Sequence, residues 1–131
     1  MSRLRTASPY LLTAVLAGAG LTHFVQAGFY DTIVPHALPG PARAWTYASG
    51  VAELGIAAAI GNPSTRSKGA LAAALLFIAV YPANIQMAID ARSAAEKAIS
   101  YARLPLQIPL IVWAWKVSKA SGQRAWRARA R

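Results

Sequence analysis

One carboxylate, Glu53, interrupts an otherwise uncharged stretch from Ala44 to Gly61. A carboxyl group among apolar neighbours can hold or pass a proton, accept a hydrogen bond from a ligand, or pair with a cation; without such a task it is costly there. Each of the other apolar stretches carries its own polar groups: His23 in the first, Asn84 and Gln86 in the third, Gln107 in the fourth. His23 could share a proton with Glu53, and the two amides Asn84 and Gln107 could orient a carbonyl or hydroxyl. Thr46, Ser49, Gly50 and Glu53 recur at helical spacing and share one helix face. Tyr81 stands beside Asn84, and Arg103 is a second cation that could pair with Glu53. The candidate ligand-contacting set is therefore His23, Ser49, Glu53, Tyr81, Asn84, Arg103 and Gln107, with no catalytic step assigned to any of them. The competing reading of each is structural: an ion pair of Glu53 with His23 or Arg103, and amides that merely tie helices together.

Several chemistries are excluded. The chain has no cysteine, so it carries neither disulfide nor thiolate chemistry of its own. One interior histidine and one interior glutamate are too few to hold a metal, and neither HxxxH nor HExxH spacing occurs. Phosphate-binding loops, dinucleotide fingerprints and nucleophile elbows are also missing from the sequence. No covalently bound cofactor is implied.

The elements that must position these residues follow from composition. Hydrophobic residues make up 56% of the 131-residue chain and charged residues 14%, against about 25% charged in an ordinary soluble domain. Thr6 to Tyr30 and Gly69 to Ile89 contain no Asp, Glu, Lys or Arg. Each is long enough to cross a hydrocarbon core of about 30 Å. The expectation is an all-α, four-helix transmembrane bundle with antiparallel neighbours. Its spans are Tyr10 to Phe29, Ala44 to Gly61, Gly69 to Ile89 and Tyr101 to Val117. The proline-rich segment Val34 to Pro41 joins the first two, and Gly61-Asn62-Pro63-Ser64 turns the second into the third. Residues 1–119 form the membrane domain and residues 120–131 a basic tail. Arg3 and Arg5 followed by Leu11 to Ala17 also fit a secretory signal cleaved near Ala17-Gly18-Ala19, but the apolar stretch runs on through Phe24 and Val25.

Span four is the shortest, with a charge-free core from Leu104 to Trp115. Pro105 is expected in a first turn, where its missing amide costs little, and Pro109 deeper, where it should kink the helix or free a carbonyl. Ala91 to Ser100 fits either an interfacial helix or a continuation of span three. Pro82 should open the hydrogen-bond ladder of span three.

Lys and Arg set the direction. With the N-terminus inside, ten basic residues face the cytoplasm and four, Arg43, Arg92, Lys97 and Arg103, face outward. Both termini are therefore expected in the cytoplasm. Trp45 and Tyr47 at one edge and Trp113 and Trp115 at the other suit the two interfaces. His23, Glu53, Asn84 and Gln107 then fall between the midplane and the outer face, as a shared interior pocket would require.

Span two is not stable in lipid alone. Val51, Leu54, Ile56 and Ile60 favour insertion by roughly 0.3–0.6 kcal/mol each, about 2 kcal/mol together, against roughly 2.5–3.5 kcal/mol for an intramembrane charge. It needs neighbours, a partner for Glu53, or a proton on the carboxyl. Small residues such as Ala14, Gly18, Gly50, Gly55, Ala72, Ala79 and Ala83 would let helix backbones approach. In the tail, Arg124, Arg127, Arg129 and Arg131 with Trp126 suit anionic lipid headgroups; nucleic acid is not the expected partner.

In combination these residues resemble the DoxX-like family of small bacterial membrane proteins. The likeness lies in Gly20-Leu21-Thr22-His23-Phe24, Ile33-Val34-Pro35 with Leu38-Pro39, Ser49-Gly50 with Glu53-Leu54, and Pro63 with Thr65-Arg66. It continues in Tyr81-Pro82-Ala83-Asn84 with Met87-Ala88 and in Arg103-Leu104-Pro105-Leu106-Gln107 with Trp113. It covers nearly the whole chain except the basic tail. It implies a four-helix bundle in the cytoplasmic membrane and, for some branches, sulfur-compound or thiol oxidation with quinone as acceptor; thiols would have to come from a partner. The functional expectation is a subunit of a membrane redox system, quinone- or sulfur/thiol-linked, holding a quinone or other lipid-soluble ligand. It would associate with a redox partner or with further copies of itself. The alternatives are a non-catalytic factor that assembles or stabilises a membrane partner and a small oligomeric transporter.

Overall fold

The structure is a computed structural model that describes residues 2–131, with side chains from Ala7 onward. Arg3 and Arg5 therefore lie on a described helix while their side chains fall outside the description. The chain is all-helical: α1 (Ser2–Val25), α2 (Ala27–Thr32), α3 (Ala42–Gly61), α4 (Arg66–Ala79), α5 (Tyr81–Asp90) and α6 (Ala94–Arg129). Two stretches are long and apolar enough to cross a membrane by length and composition, Ala7–Val25 and Arg66–Asp90, the second taken through the break between α4 and α5.

The six helices make four rods. α1 continues into α2 through a turn at Gln26, whose amide still bonds the Thr22 carbonyl at 2.8 Å. α3 lies antiparallel to α1: Gly61 faces Thr13, while Gly50 faces His23 and Phe24. The α3–α4 turn is closed by Asn62, whose Oδ1 accepts from the amide and hydroxyl of Ser64 at 3.0 and 2.9 Å. Arg66 then donates from Nε to the Ile60 carbonyl and from a terminal nitrogen to that of Gly61, at 2.8 and 3.1 Å. It thereby fills acceptors left open at the α3 C-terminus, where a cation is also favoured by the helix dipole. α6 runs antiparallel to α4 and α5. Ser67 and Ser118 exchange hydroxyl-to-carbonyl bonds at 2.9 and 2.8 Å near one end of the pair. Trp113 Nε1 donates to Ser8 Oγ at 2.8 Å and ties α6 to α1.

Burial explains which faces meet. The inward stripe of α3 is Thr46, Gly50, Glu53, Ala57 and Ile60, a 4-3-4-3 spacing that keeps one seam facing its neighbours. α4 turns Gly69, Ala70, Ala73, Ala74 and Phe77 inward. The packed interior joins Leu12, Leu16, Ile60, Phe77 and Val117 to these small residues. Large apolar side chains are not confined to the interior, and some polar ones are buried. Val25 is 81% exposed and Ile89 70%, whereas Glu53 is 8% exposed and Asn84 5%.

Three local expectations are corrected. The third apolar stretch is not one helix: it breaks at Val80, two residues before Pro82, which has no amide to offer the Ile78 carbonyl. Ala91 to Ser100 is neither a separate short helix nor an extension of span three. Residues 91–93 are a connection, and the rest opens α6 through a capping box: Glu96 N donates to Ser93 Oγ at 3.1 Å and Ser93 N to Glu96 Oε2 at 3.1 Å. Pro105 consequently sits in the interior of α6, not in its first turn, and the helix is assigned unbroken through Pro105 and Pro109. At 36 residues α6 is about 54 Å long and continues through most of the basic tail.

Candidate functional site

The interior polar side chains gather in two places. On α1 and α3, His23 Nδ1 lies 3.1 Å from Glu53 Oε2, and both residues are buried. The same nitrogen lies 2.9 Å from the Ala19 carbonyl, one turn back on α1. One ring nitrogen therefore faces two acceptors and can carry only one proton. The approach to Glu53 lacks hydrogen-bond alignment, so Oε2 is a buried acceptor with no hydrogen-bond partner. Such an atom is uncommon in a folded interior and calls for a cause.

The imidazole is held from its face as well. Tyr30 on α2 stacks on it with ring centres 3.8 Å apart and 23° between planes. The Tyr30 hydroxyl pairs with Thr22 Oγ1 at 2.7 Å. The turn at Gln26 lets Tyr30 return over His23. Gly50 of α3 provides room at the base of the side chain; a methyl group in its place would lie 2.9 Å from His23 Cβ.

One turn nearer the α3 N-terminus, Asp31 bridges α2 and α3. Its Oδ1 accepts from Thr46 Oγ1 at 2.7 Å and its Oδ2 from Arg43 Nε at 2.8 Å. The Thr46 hydrogen bond, followed by the Arg43 guanidinium, holds the Asp31 carboxyl below its ordinary value against an opposing effect of partial burial. Arg43 also donates to the Tyr47 hydroxyl at 3.4 Å.

The second place lies between α4, α5 and α6. Gln107 Nε2 donates to the Phe77 carbonyl at 2.7 Å, and Gln107 Oε1 accepts from Asn84 Nδ2 at 3.2 Å. Phe77 belongs to the last turn of α4, whose carbonyls lack helical partners. Gln107 thus caps the broken rod from outside and uses its amide oxygen to hold α5. All three residues are buried.

Of the seven predicted site residues, the structure brings together His23 with Glu53 and Asn84 with Gln107. Ser49 lies beside the buried α3 stripe and is half-buried; Tyr81, at the start of α5, and Arg103, on α6, are also half-buried. These three make no side-chain hydrogen bond among the described residues. Glu53 lies against His23 and not Arg103. Among the described residues no group of three His, Cys, Asp or Glu side chains gathers to hold a metal. Sequence reasoning missed Tyr30 and Asp31. Tyr30 lies seven residues after His23, two helical turns, which is the signal that could have paired them.

Arg124 and Arg127 line an open groove of about 710 Å³ between the start of α1 and the end of α6. Arg129 is the last residue of α6, and Arg131 follows it; both are exposed.

Fold and site together define a class: an all-helical protein with a packed apolar and small-residue core, many large apolar side chains exposed, and a buried imidazole–carboxylate pair. Residues 12–118 match the family described as Domain of unknown function (DUF8561), and the chain belongs to that family. No match is found among curated proteins or among solved structures.

Proposed function

We propose that this chain is a multi-pass protein of a bacterial cytoplasmic membrane, with four spanning rods and both termini in the cytoplasm. Its role in this reading is that of a subunit of a membrane redox system, quinone- or sulfur/thiol-linked. The membrane reading is supported by the apolar exterior, the two sufficiently long apolar stretches and the charge distribution. The antiparallel rods put ten basic residues and no acidic one toward the end that holds the N-terminus. The opposite end holds Asp31, Asp90 and Glu96 beside four cations.

The observation that carries the redox reading is the unsatisfied Glu53 Oε2 beside His23. A buried acid whose Oε2 makes no hydrogen bond and lies 3.1 Å from an imidazole nitrogen can accept a hydrogen bond from a hydroxyl and then its proton. A quinone-class carrier would supply the two-electron chemistry, exchanging electrons with a partner. His23 and Glu53 would bind its oxygen and move the proton, while Tyr30 fixes the plane of the imidazole. The likeness to DoxX-like proteins points the same way. Asn84 and Gln107 have no ligand-binding part in this version, because they bond to each other and to backbone.

The test is quinone content and quinone reduction in membranes carrying Glu53→Gln. Loss of bound quinone, or of the associated reduction, is expected. If the purified protein holds no lipid-soluble ligand and Glu53→Gln leaves reduction intact, the redox reading is wrong. The alternative is then an assembly or stabilising factor, a reading favoured by the purely structural use of Asn84 and Gln107. It requires co-purification with a membrane partner that is lost when residues after Lys119 are deleted.

A further inference from the structure

Two grooves meet on one side chain, Lys116. The first is the basic groove between α1 and α6. Lys116, Arg124 and Arg127 line it, Ser8 and Ser121 add hydroxyl groups, and no carboxylate does so among the described residues. Pro9 and Val117 give it an apolar floor, and the Trp113–Ser8 hydrogen bond fixes its two walls. The second groove, about 290 Å³, runs between α4 and α6 from Lys116 and Leu71 to Ile78 and Ile111. Apart from Lys116 its lining is aliphatic or aromatic. Trp115 stands at its basic end, with Lys119 Nζ 4.6 Å from the indole ring centre.

A cationic groove that shares Lys116 with an apolar one has the polarity of an amphiphile with an anionic head. Three cations without a counter-charge suit a phosphodiester, and Arg presents paired donors to phosphate oxygens. The adjoining trough, directed along the rods toward the middle of the bundle, suits an acyl chain. We infer that the two grooves together form one site for an anionic glycerophospholipid, its phosphate at Lys116, Arg124 and Arg127 and one acyl chain between α4 and α6. The site rests on the membrane reading above and is independent of the redox reading. It is a defined seat and not a diffuse attraction of the whole basic tail.

The full chain in detergent is titrated with dioleoyl-phosphatidylglycerol or dioleoyl-phosphatidylcholine and followed by native mass spectrometry. One phosphatidylglycerol per chain is expected to bind in preference to phosphatidylcholine. Lys116→Gln with Arg124→Gln should weaken it about thirtyfold, from the attraction lost with two cations. Arg129→Gln with Arg131→Gln removes equal charge outside the groove and should change it less than about threefold. Val112→Trp, which fills the apolar trough and leaves every charge in place, should also weaken binding, and inorganic phosphate should not displace the lipid. Equal binding of the two lipids, equal loss in both charge pairs, no effect of Val112→Trp, or displacement by phosphate would each overturn the assignment. Carbonate-resistant membrane fractionation of the same chain separates the two readings: a chain that stays in the membrane yet shows no lipid preference removes the site alone.

Discussion

Gly50→Ala is the smallest change that strikes at the α1–α3 seam. Its new methyl would lie 2.7 Å from Phe24 Cε2 and 2.9 Å from His23 Cβ, where carbon atoms normally stand about 3.5–4.0 Å apart. The Phe24 ring is partly exposed and can rotate away. His23 Cβ is anchored to the α1 backbone and cannot retreat unless the rod moves. Overpacking of this kind costs typically about 1–3 kcal/mol, and it widens the gap between Nδ1 and Glu53 Oε2, now 3.1 Å. Gly55 lies five residues further along the same helix, and a methyl there meets nothing within 4 Å. Gly55→Ala should be neutral or stabilising by up to about 1 kcal/mol, since alanine loses less backbone freedom than glycine in a helix. Reversible unfolding of both variants in mixed detergent, followed by circular dichroism, gives the comparison. Gly50→Ala should lose about 1–3 kcal/mol relative to wild type. If the two variants unfold together, the close contact at Gly50 does not govern the seam and the reasoning is wrong.

Gln107→Leu leaves the Phe77 carbonyl and the Asn84 amide without their buried partner, at a cost of about 1–3 kcal/mol. Adding Asn84→Leu should cost little more in the same unfolding assay, whereas full additivity would show that the two amides do not act as a unit. Acid should weaken the α2–α3 junction. The folded Asp31 carboxyl lies below its ordinary value of 3.8, so its contribution is complete above that value and disappears as pH falls through the lower folded one. Melting temperature against pH should therefore drop at the acid end, and Asp31→Asn should flatten that limb; superimposable limbs would refute the assignment.

Apolar stretches with at most one charge located most of α1, α3 and the broken α4–α5 rod, but not the full extent of α6. The Ala44 to Gly61 stretch corresponds to α3 within two residues. Pro82 announced a break in the third stretch, but its position at Val80 depended on how α6 caps the free end. Ser93 and Glu96 are spaced as a capping box, a signal that places the α6 start and would have put Pro105 in the interior. The polar residues of the site were legible one rod at a time. Their pairing was not, because spacing within a helix does not say which other helix it touches. Thus His23 found Glu53 across the α1–α3 seam, and Asn84 found Gln107 across the α5–α6 seam, instead of all four converging.

The Phe77 carbonyl receives its hydrogen from a side chain thirty residues later in the chain. A ribosome must deliver all of α4 and α5 before that oxygen can be satisfied, and until then the nascent rod holds an acceptor without its native donor. Arrival of Gln107 ends that exposure and sets an order on folding: the α4–α5 rod matures only when α6 packs against it. A truncated translation product lacking α6 would keep the defect, marking it for a chaperone or protease.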